Sequence, residues 1–182
     1  MALIFAPSVH AQPEGESFDS WLSGFRVRLA DAGAQPGTVA SMLDGLTPEM
    51  RIIERDGSQP EFVRPIWGYL GSALSDKRKA DGEAQLAQYR KLFDRLEDAY
   101  GVEREILAAI WGLETHYGTF MGSKNVIRSL TTLACQGRRA EFVRTQLLAA
   151  LRIIQAGDTT PETMMGSWAG AMGHTQFIPT TY

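Results

Sequence analysis

Apolar side chains recur three and four positions apart along most of the chain, a spacing that predicts helices nearly throughout. Phe18, Trp21, Leu22, Phe25 and Leu29 mark a first amphipathic helix over about residues 17–32. Pro36 opens a second, short helix carrying Val39, Met42 and Leu43, at the position where a missing N–H costs nothing. Thr47-Pro48-Glu49 predicts a third helix start with Thr47 as its cap. Ser58-Gln59-Pro60-Glu61-Phe62 reads as a polar, extended break. Helical spacing resumes from Pro65 to Leu74 with Ile66, Trp67, Leu70 and Leu74. A long helix over about residues 76–99 follows, with Leu86, Tyr89, Leu92, Phe93 and Leu96 as its inward stripe and Gly101 as its left-handed stop. Two more are predicted, over residues 103–116 and 138–156. The second buries Phe142, Val143, Leu147, Leu151 and Ile154 and ends at Gly157, and Thr160-Pro161-Glu162 repeats the helix-start signature. There is no sustained strand-type alternation and no internal repeat, so the fold class is mainly α.

One stretch departs from this pattern. Gly166-Ser167-Trp168-Ala169-Gly170-Ala171-Met172-Gly173 sets three glycines and three other small residues around a tryptophan. Such composition allows backbone to approach backbone or ligand closely. It suits a tight helix crossing and the wall of a binding cleft equally well.

Composition narrows the class. A length of 182 residues suits one domain, or one domain with a small appendage, and 44% hydrophobic with 21% charged residues is globular. The net charge of −3 argues against a nucleic-acid partner. Lys77-Arg78-Lys79 reads as a solvated helix face. The single cysteine, Cys135, excludes an internal disulfide and a Cys-rich metal site, and reads as a small buried residue. No apolar run reaches transmembrane length. Residues 1–11 read as the last part of a secretory signal, a short apolar run and then Val9-His10-Ala11, without the positive n-region. No cysteine follows at the cleavage point to carry a lipid anchor.

Candidate chemistry centres on one carboxylate. With residues of the 103–116 helix placed at 100° intervals, Ile106, Leu107, Ile110, Trp111 and Leu113 share an arc of about 160°. Glu114 falls near the middle of that arc, whereas Glu103 and Glu105 sit in the first turn, where the helix dipole favours them. A carboxyl surrounded by Leu, Ile and Trp is expensive to ionise and would hold a proton as a general acid must. A Glu paired with an Arg across the core, or reaching the surface at the helix end, is the plainer alternative. Its place just before Thr115-His116-Tyr117-Gly118, where the helix should stop, favours a cleft. Trp111, Tyr117, Phe120, Trp168 and Phe177 supply aromatic faces on which sugars stack, so carbohydrate chemistry fits better than phosphate chemistry.

The segment Ile110-Trp111-Gly112-Leu113-Glu114-Thr115-His116-Tyr117-Gly118 resembles the catalytic helix of the membrane-bound lytic transglycosylase B family. The 166–173 run with Gln176-Phe177-Ile178-Pro179 resembles that family's second motif. Gln59-Pro60-Glu61-Phe62 and Arg138-Arg139 match its pattern in order and spacing, so the likeness runs from about Phe18 onward. It implies a lysozyme-like, mainly helical lytic transglycosylase core with helical additions, acting on peptidoglycan glycan strands in the periplasm. It implies Glu114 as the single acid and base, and Ser167 and Gln176 as polar groups lining the cleft. Arg138 and Arg139 would face the anionic lactyl or peptide part of the substrate. Tyr69, Tyr117 and Phe177 stand as cleft aromatics, with core packing as the equal alternative. On this reading residues 12–182 are the N-terminal part of the catalytic domain, C-terminally truncated relative to the family and monomeric. No cofactor is implied. The family's calcium-binding loop, where it occurs, would lie beyond Tyr182, so no metal is assigned.

The implied mechanism departs from the two-carboxylate scheme. Glu114 protonates the glycosidic oxygen, the substrate's own N-acetyl oxygen supports C1, and Glu114 then takes the proton of the muramyl C6 hydroxyl. The C6 oxygen closes onto C1, giving a 1,6-anhydromuramyl end with no water consumed. At Thr180-Thr181 the chain carries threonines where serines are usual in the family, a mild change. A lysozyme-type hydrolase and an inactive peptidoglycan-binding fragment are the alternative readings.

Overall fold

The computed structural model describes residues 16–57 and 65–182; the secretory signal expected over residues 1–11 and the extended break expected at 58–62 lie outside the described residues. The first helix, α1 (Phe18–Asp31), starts where Ser17 accepts a hydrogen bond from the Ser20 N–H. It buries the five residues its spacing predicts, with Trp21 stacked on Phe25. Pro36 begins α2 (Pro36–Leu43), which buries Val39, Met42 and Leu43. The third helix, α3 (Met50–Gly57), starts later than expected, and Thr47 is not its cap. The Thr47 hydroxyl instead accepts from the Arg128 guanidinium, and the Glu49 N–H is satisfied across the fold by Thr132 Oγ1 at 3.1 Å.

A second group of helices follows. Helix α4 (Ile66–Ala73) leaves Ile66, Trp67 and Tyr69 exposed. The single helix expected over residues 76–99 is two, α5 (Asp76–Gln88) and α6 (Arg90–Tyr100), joined at Tyr89, whose φ of −104° and ψ of 23° break the ladder. Of the expected inward stripe only Phe93 is buried, while Tyr89 and Leu92 are exposed. Gly101 stops α6 in the left-handed region, as its place predicts. Helix α7 (Arg104–Thr115) follows, and contacts α5 and α6.

A helix not among those predicted is α8 (Val126–Gln136), preceded by the two-residue strand β1 (Lys124–Asn125). Asn125 caps it by accepting from the Arg128 N–H at 2.9 Å. Nine of its eleven residues are buried, Cys135 among them: the apolar stripe Val126, Ile127, Leu130, Leu133 and Ala134 at helix spacing, and on the remaining side Ser129, Thr131 and Thr132 as well. Helix α9 (Ala140–Ala156) packs along it and ends at left-handed Gly157. Val143, Leu147 and Leu151 are buried as expected, but Phe142 is exposed, its ring lying under the Arg139 guanidinium. Thr160-Pro161-Glu162 opens no helix; the Thr160 and Thr163 hydroxyls close a turn instead. Strand β2 (Met165–Gly166) pairs antiparallel with β1, Lys124 facing Gly166.

The hydrophobic core lies among α1, α2, α3, α8 and α9, and draws nothing from α4 to α7. Each fully buried Leu or Ile there contributes about 1.5–3 kcal/mol. Residues 166–179 span the two groups of helices. On the core side, a Cβ at Gly170 would stand 2.5 Å from Leu130 of α8, so only glycine lets this loop lie on that helix. At the far end, Gln146 of α9, itself buried, accepts from the Thr180 N–H and hydroxyl at 3.1 and 2.9 Å. A serine hydroxyl would serve as well. Among the described residues no helix is long and apolar enough to cross a membrane.

Candidate active site

Helix α7 turns a different face inward from the one its apolar spacing predicts. Its buried residues are Ala108, Gly112 and Thr115, a stripe at i, i+4 and i+7. Ile106, Ile110 and Leu113 are 50%, 43% and 48% exposed, and Glu114 lies exposed among them. Among the described residues, the dry pocket expected around Glu114 is therefore not formed. Small residues bring α7 close to its neighbours, and the large apolar side chains line the surface around the carboxylate instead. Among the described residues, Glu114 enters no hydrogen bond or ion pair.

The turn that carries Glu114 is held firmly, although its carboxyl is not. Thr115, 1% exposed, donates to the His174 carbonyl at 2.7 Å and accepts from the Gly118 N–H at 3.0 Å. Trp111 donates from its indole N–H to His174 Nδ1 at 2.9 Å. Around Trp111 the rings of Tyr89, Tyr117 and His174 meet it edge-on at 5.8, 5.5 and 5.6 Å between centroids. The helix break at Tyr89 thus brings that ring onto Trp111. His116 and Tyr117 both adopt left-handed backbone, φ 49° and 59°, a conformation costing about 1–3 kcal/mol per residue and found where surrounding contacts enforce it.

Those contacts are visible. Tyr117 folds back between α5 and α7: a Cβ at Gly82 or Gly112 would stand 2.7 or 2.5 Å from its hydroxyl oxygen. Its hydroxyl donates to the Arg78 carbonyl at 3.1 Å. Burial pushes the Tyr117 phenol above its ordinary range, and the Asp81 carboxylate adds to this. Asp81 in turn lies 3.3 Å from His116 Nε2 and accepts from Lys77. The Lys77 hydrogen bond holds the Asp81 carboxyl below its usual range, against a smaller effect of burial, with the Lys77 and His116 charges assisting.

The remaining candidates fall in three places. Ser167 is half-buried, and its Oγ closes its own turn by accepting from the Ala169 and Ala171 N–H groups at 3.3 and 3.0 Å. Gln176, at φ 50°, donates to the Met121 and Gly173 carbonyls at 3.1 and 3.0 Å, tying its loop to the segment that follows Glu114. Arg138 and Arg139 are exposed and line a cavity of about 460 Å³ with Asp56, Phe142 and Trp168. There the Arg138 N–H donates to Asp56 at 2.8 Å. Phe177 is exposed beside a second cavity of about 440 Å³ lined by Met164, Met165, Met172 and Tyr182, and Tyr69 is exposed on α4. Among the described residues no cluster of three or more His, Cys, Asp or Glu side chains converges as metal ligands would.

Sequence reasoning assigned no role to Thr115 or His174. The signal available for Thr115 was the small-residue stripe it shares with Ala108 and Gly112; nothing in the spacing pointed to His174.

The sequence profile of the family described as "Transglycosylase SLT domain" matches residues 17–182. The membrane-bound lytic murein transglycosylase B of Escherichia coli (strain K12) is 30% identical over 146 residues, 80% of this chain and 39% of that protein. The crystal structure of SltB3 from Pseudomonas aeruginosa in complex with NAG-NAM-pentapeptide superposes with a TM-score of 0.87 at 49% identity, covering 92% of this chain and 45% of that one. The soluble lytic transglycosylase SltB1 from the same organism gives a TM-score of 0.81 at 28% identity over 88% of this chain and 55% of that one. The chain therefore spans about half the length of these relatives or less.

Proposed function

Because the chain belongs to the transglycosylase SLT domain family, we propose that it is a lytic transglycosylase cleaving the β-1,4 bond between N-acetylmuramic acid and N-acetylglucosamine in peptidoglycan, with Glu114 as its single acid and base. The mainly helical fold is the lysozyme-like fold of the lytic transglycosylases it superposes on. The observation that carries the mechanism is the contrast at the end of α7. Its neighbours Trp111 and Thr115 are tied down by hydrogen bonds, whereas its own carboxylate is exposed and bonded to nothing among the described residues. A carboxyl carried on a firmly held turn but itself unpaired is open to exchange a proton with a ligand. The exposed Ile110 and Leu113 around it form a surface from which a glycan strand would displace water, and water exclusion strengthens the interactions the carboxyl makes.

In the first step the protonated Glu114 donates to the glycosidic oxygen as the C1–O4 bond breaks, and the 2-acetamido oxygen of the muramyl residue bonds to C1. In the second, ionised Glu114 accepts the C6 hydroxyl proton while O6 bonds to C1 and the acetamido oxygen departs. The carboxyl returns to its starting state, and the product end is 1,6-anhydromuramyl. Ser167, Gln176, Tyr69, Tyr117 and Phe177 are assigned to the cleft. For Tyr117 the assignment is indirect, because its packed ring and bonded hydroxyl support the turn from beneath. Arg138 and Arg139 would meet the anionic lactyl or peptide part, and their open, Trp168-walled cavity suits this. The pentapeptide ligand named for SltB3 is of the same chemical kind.

The same reading places residues 1–11 in a secretory signal, residues 12–182 in the catalytic domain and the protein, as a monomer, in the periplasm, where its substrate lies. Mass spectrometry of purified peptidoglycan after digestion tests the reaction. Anhydromuramyl ends are expected; reducing muramyl ends would make the enzyme a hydrolase, and an undigested but bound polymer would make it a binding module.

A further inference from the structure

Four contacts converge on His174, a residue outside the proposed chemistry. Its Nδ1 accepts from the Trp111 indole at 2.9 Å. Its carbonyl accepts from the Thr115 hydroxyl at 2.7 Å. Its ring meets the Trp111 ring at 66° with centroids 5.6 Å apart. A Cβ at Gly118 would stand 2.5 Å from Nδ1, so the ring fits only because residue 118 is glycine. Trp111 and Thr115 are the i−3 and i+1 neighbours of Glu114, and together they embrace the helical turn that bears the carboxylate. Helix α7 has no part in the main hydrophobic core, so this turn is held by few elements.

We propose that His174 is a positioning residue: its neutral imidazole, accepting at Nδ1 with the proton on Nε2, grips Trp111 and thereby fixes Glu114 on the 166–179 loop. An indole N–H can only donate, so the tautomer follows from the contact. The loop is anchored to α8 through Gly170 and to α9 through Thr180, so His174 transmits the stiffness of the buried core to an exposed catalytic side chain. The inference rests on Glu114 being the acid of the proposed reaction, and it adds a residue that shapes turnover without touching the sugar.

The test compares His174→Ala, His174→Asn, Trp111→Phe and the double variant His174→Ala/Trp111→Phe, with Glu114→Gln as the reference, by turnover of soluble glycan strands. A misplaced catalytic group costs up to about 100-fold in rate. His174→Ala is expected to lower kcat about 10- to 100-fold with KM unchanged, and Asn, whose Oδ1 stands near the place of Nδ1, to restore most of it. Trp111→Phe should show a loss of the same kind, and the double variant should be no slower than the worse single one. The indole 1H–15N resonance of Trp111 should move in His174→Ala and stay near its wild-type position in His174→Asn. This readout is independent of activity and shows whether the protein remains folded. If Glu114→Gln is inactive while His174→Ala turns over at the wild-type rate, or if Asn rescues nothing, the positioning role is wrong. If Glu114→Gln itself turns over normally, the proposed reaction fails, and the role of His174 with it.

Discussion

Helices α7 and α8 are of nearly equal length and both rich in apolar residues, yet they stand in opposite relations to water. Helix α8 is enclosed nearly all round, between α9, α3 and α1. Helix α7 buries only Ala108, Gly112 and Thr115 and turns Ile106, Ile110 and Leu113 outward. What the core gives α8 by burial, α7 obtains from a few directed contacts: the Thr115 and Trp111 hydrogen bonds to His174 and the Tyr117 ring seated on two glycines. The comparison separates scaffold from site. Burial makes α8 stable and chemically silent, whereas hydrogen bonds and small residues hold α7 in register and leave its carboxylate open.

The sharpest way to break this comparison is to remove one leucine from each helix. Leu130→Ala in α8 is expected to cost about 2–5 kcal/mol in urea unfolding, since it empties a packed site. Leu113→Ala in α7 should cost no more than about 0.5 kcal/mol, as at other exposed positions. Equal losses would mean that the face of α7 is covered. Next in size is Gly118→Ala. It places a methyl group on the His174 ring in a backbone conformation of φ 81° and is expected to destabilise by about 1–3 kcal/mol. Thr115→Val keeps the shape but strands the Gly118 N–H and the His174 carbonyl. A loss of about 1–3 kcal/mol in the same assay, with slower turnover, would confirm that this hydroxyl holds the turn.

The smallest effect expected is at the edge of the core. The Lys124 hydrogen bond holds the Glu49 carboxyl below its ordinary range, against burial, with the Lys124 charge assisting. A depressed carboxyl contributes stability above the unfolded value, about 4.3, and loses it as pH falls through the lower folded value. Wild type should therefore exceed Glu49→Gln by about 1 kcal/mol or less at pH 7 and converge with it in acid. Melting curves across that range check it, and a gap that persists in acid would assign the effect to packing.

The same contrast explains what the sequence could convey. Helices α1 and α9 were legible because one face meets the core and the other meets water, which writes a period into the chain. Helix α8 was missed although Val126, Ile127, Leu130, Leu133 and Ala134 keep helical spacing; what the sequence did not convey is the burial of its polar side, at Ser129, Thr131 and Thr132. At α7 the period was present but misleading. Large apolar residues marked the open face around Glu114, while the true contact face was written in Ala108, Gly112 and Thr115. The break at Tyr89 also escaped, because the Trp111 ring it meets lies 22 residues further on. The family was readable from the motif, and Glu114 was a candidate on the same residues; the contact of His174 with Trp111 needed coordinates, because it joins residues 63 apart through one ring nitrogen.

Everything turns on Glu114 as the group that moves the proton. The direct measurement is anhydromuropeptide release from sacculi by Glu114→Gln beside wild type, with glycan binding followed in parallel. The account predicts that release falls at least about 1,000-fold, the scale on which removing an essential acid acts, while binding is retained. Release by the Gln variant at the wild-type rate would contradict it outright.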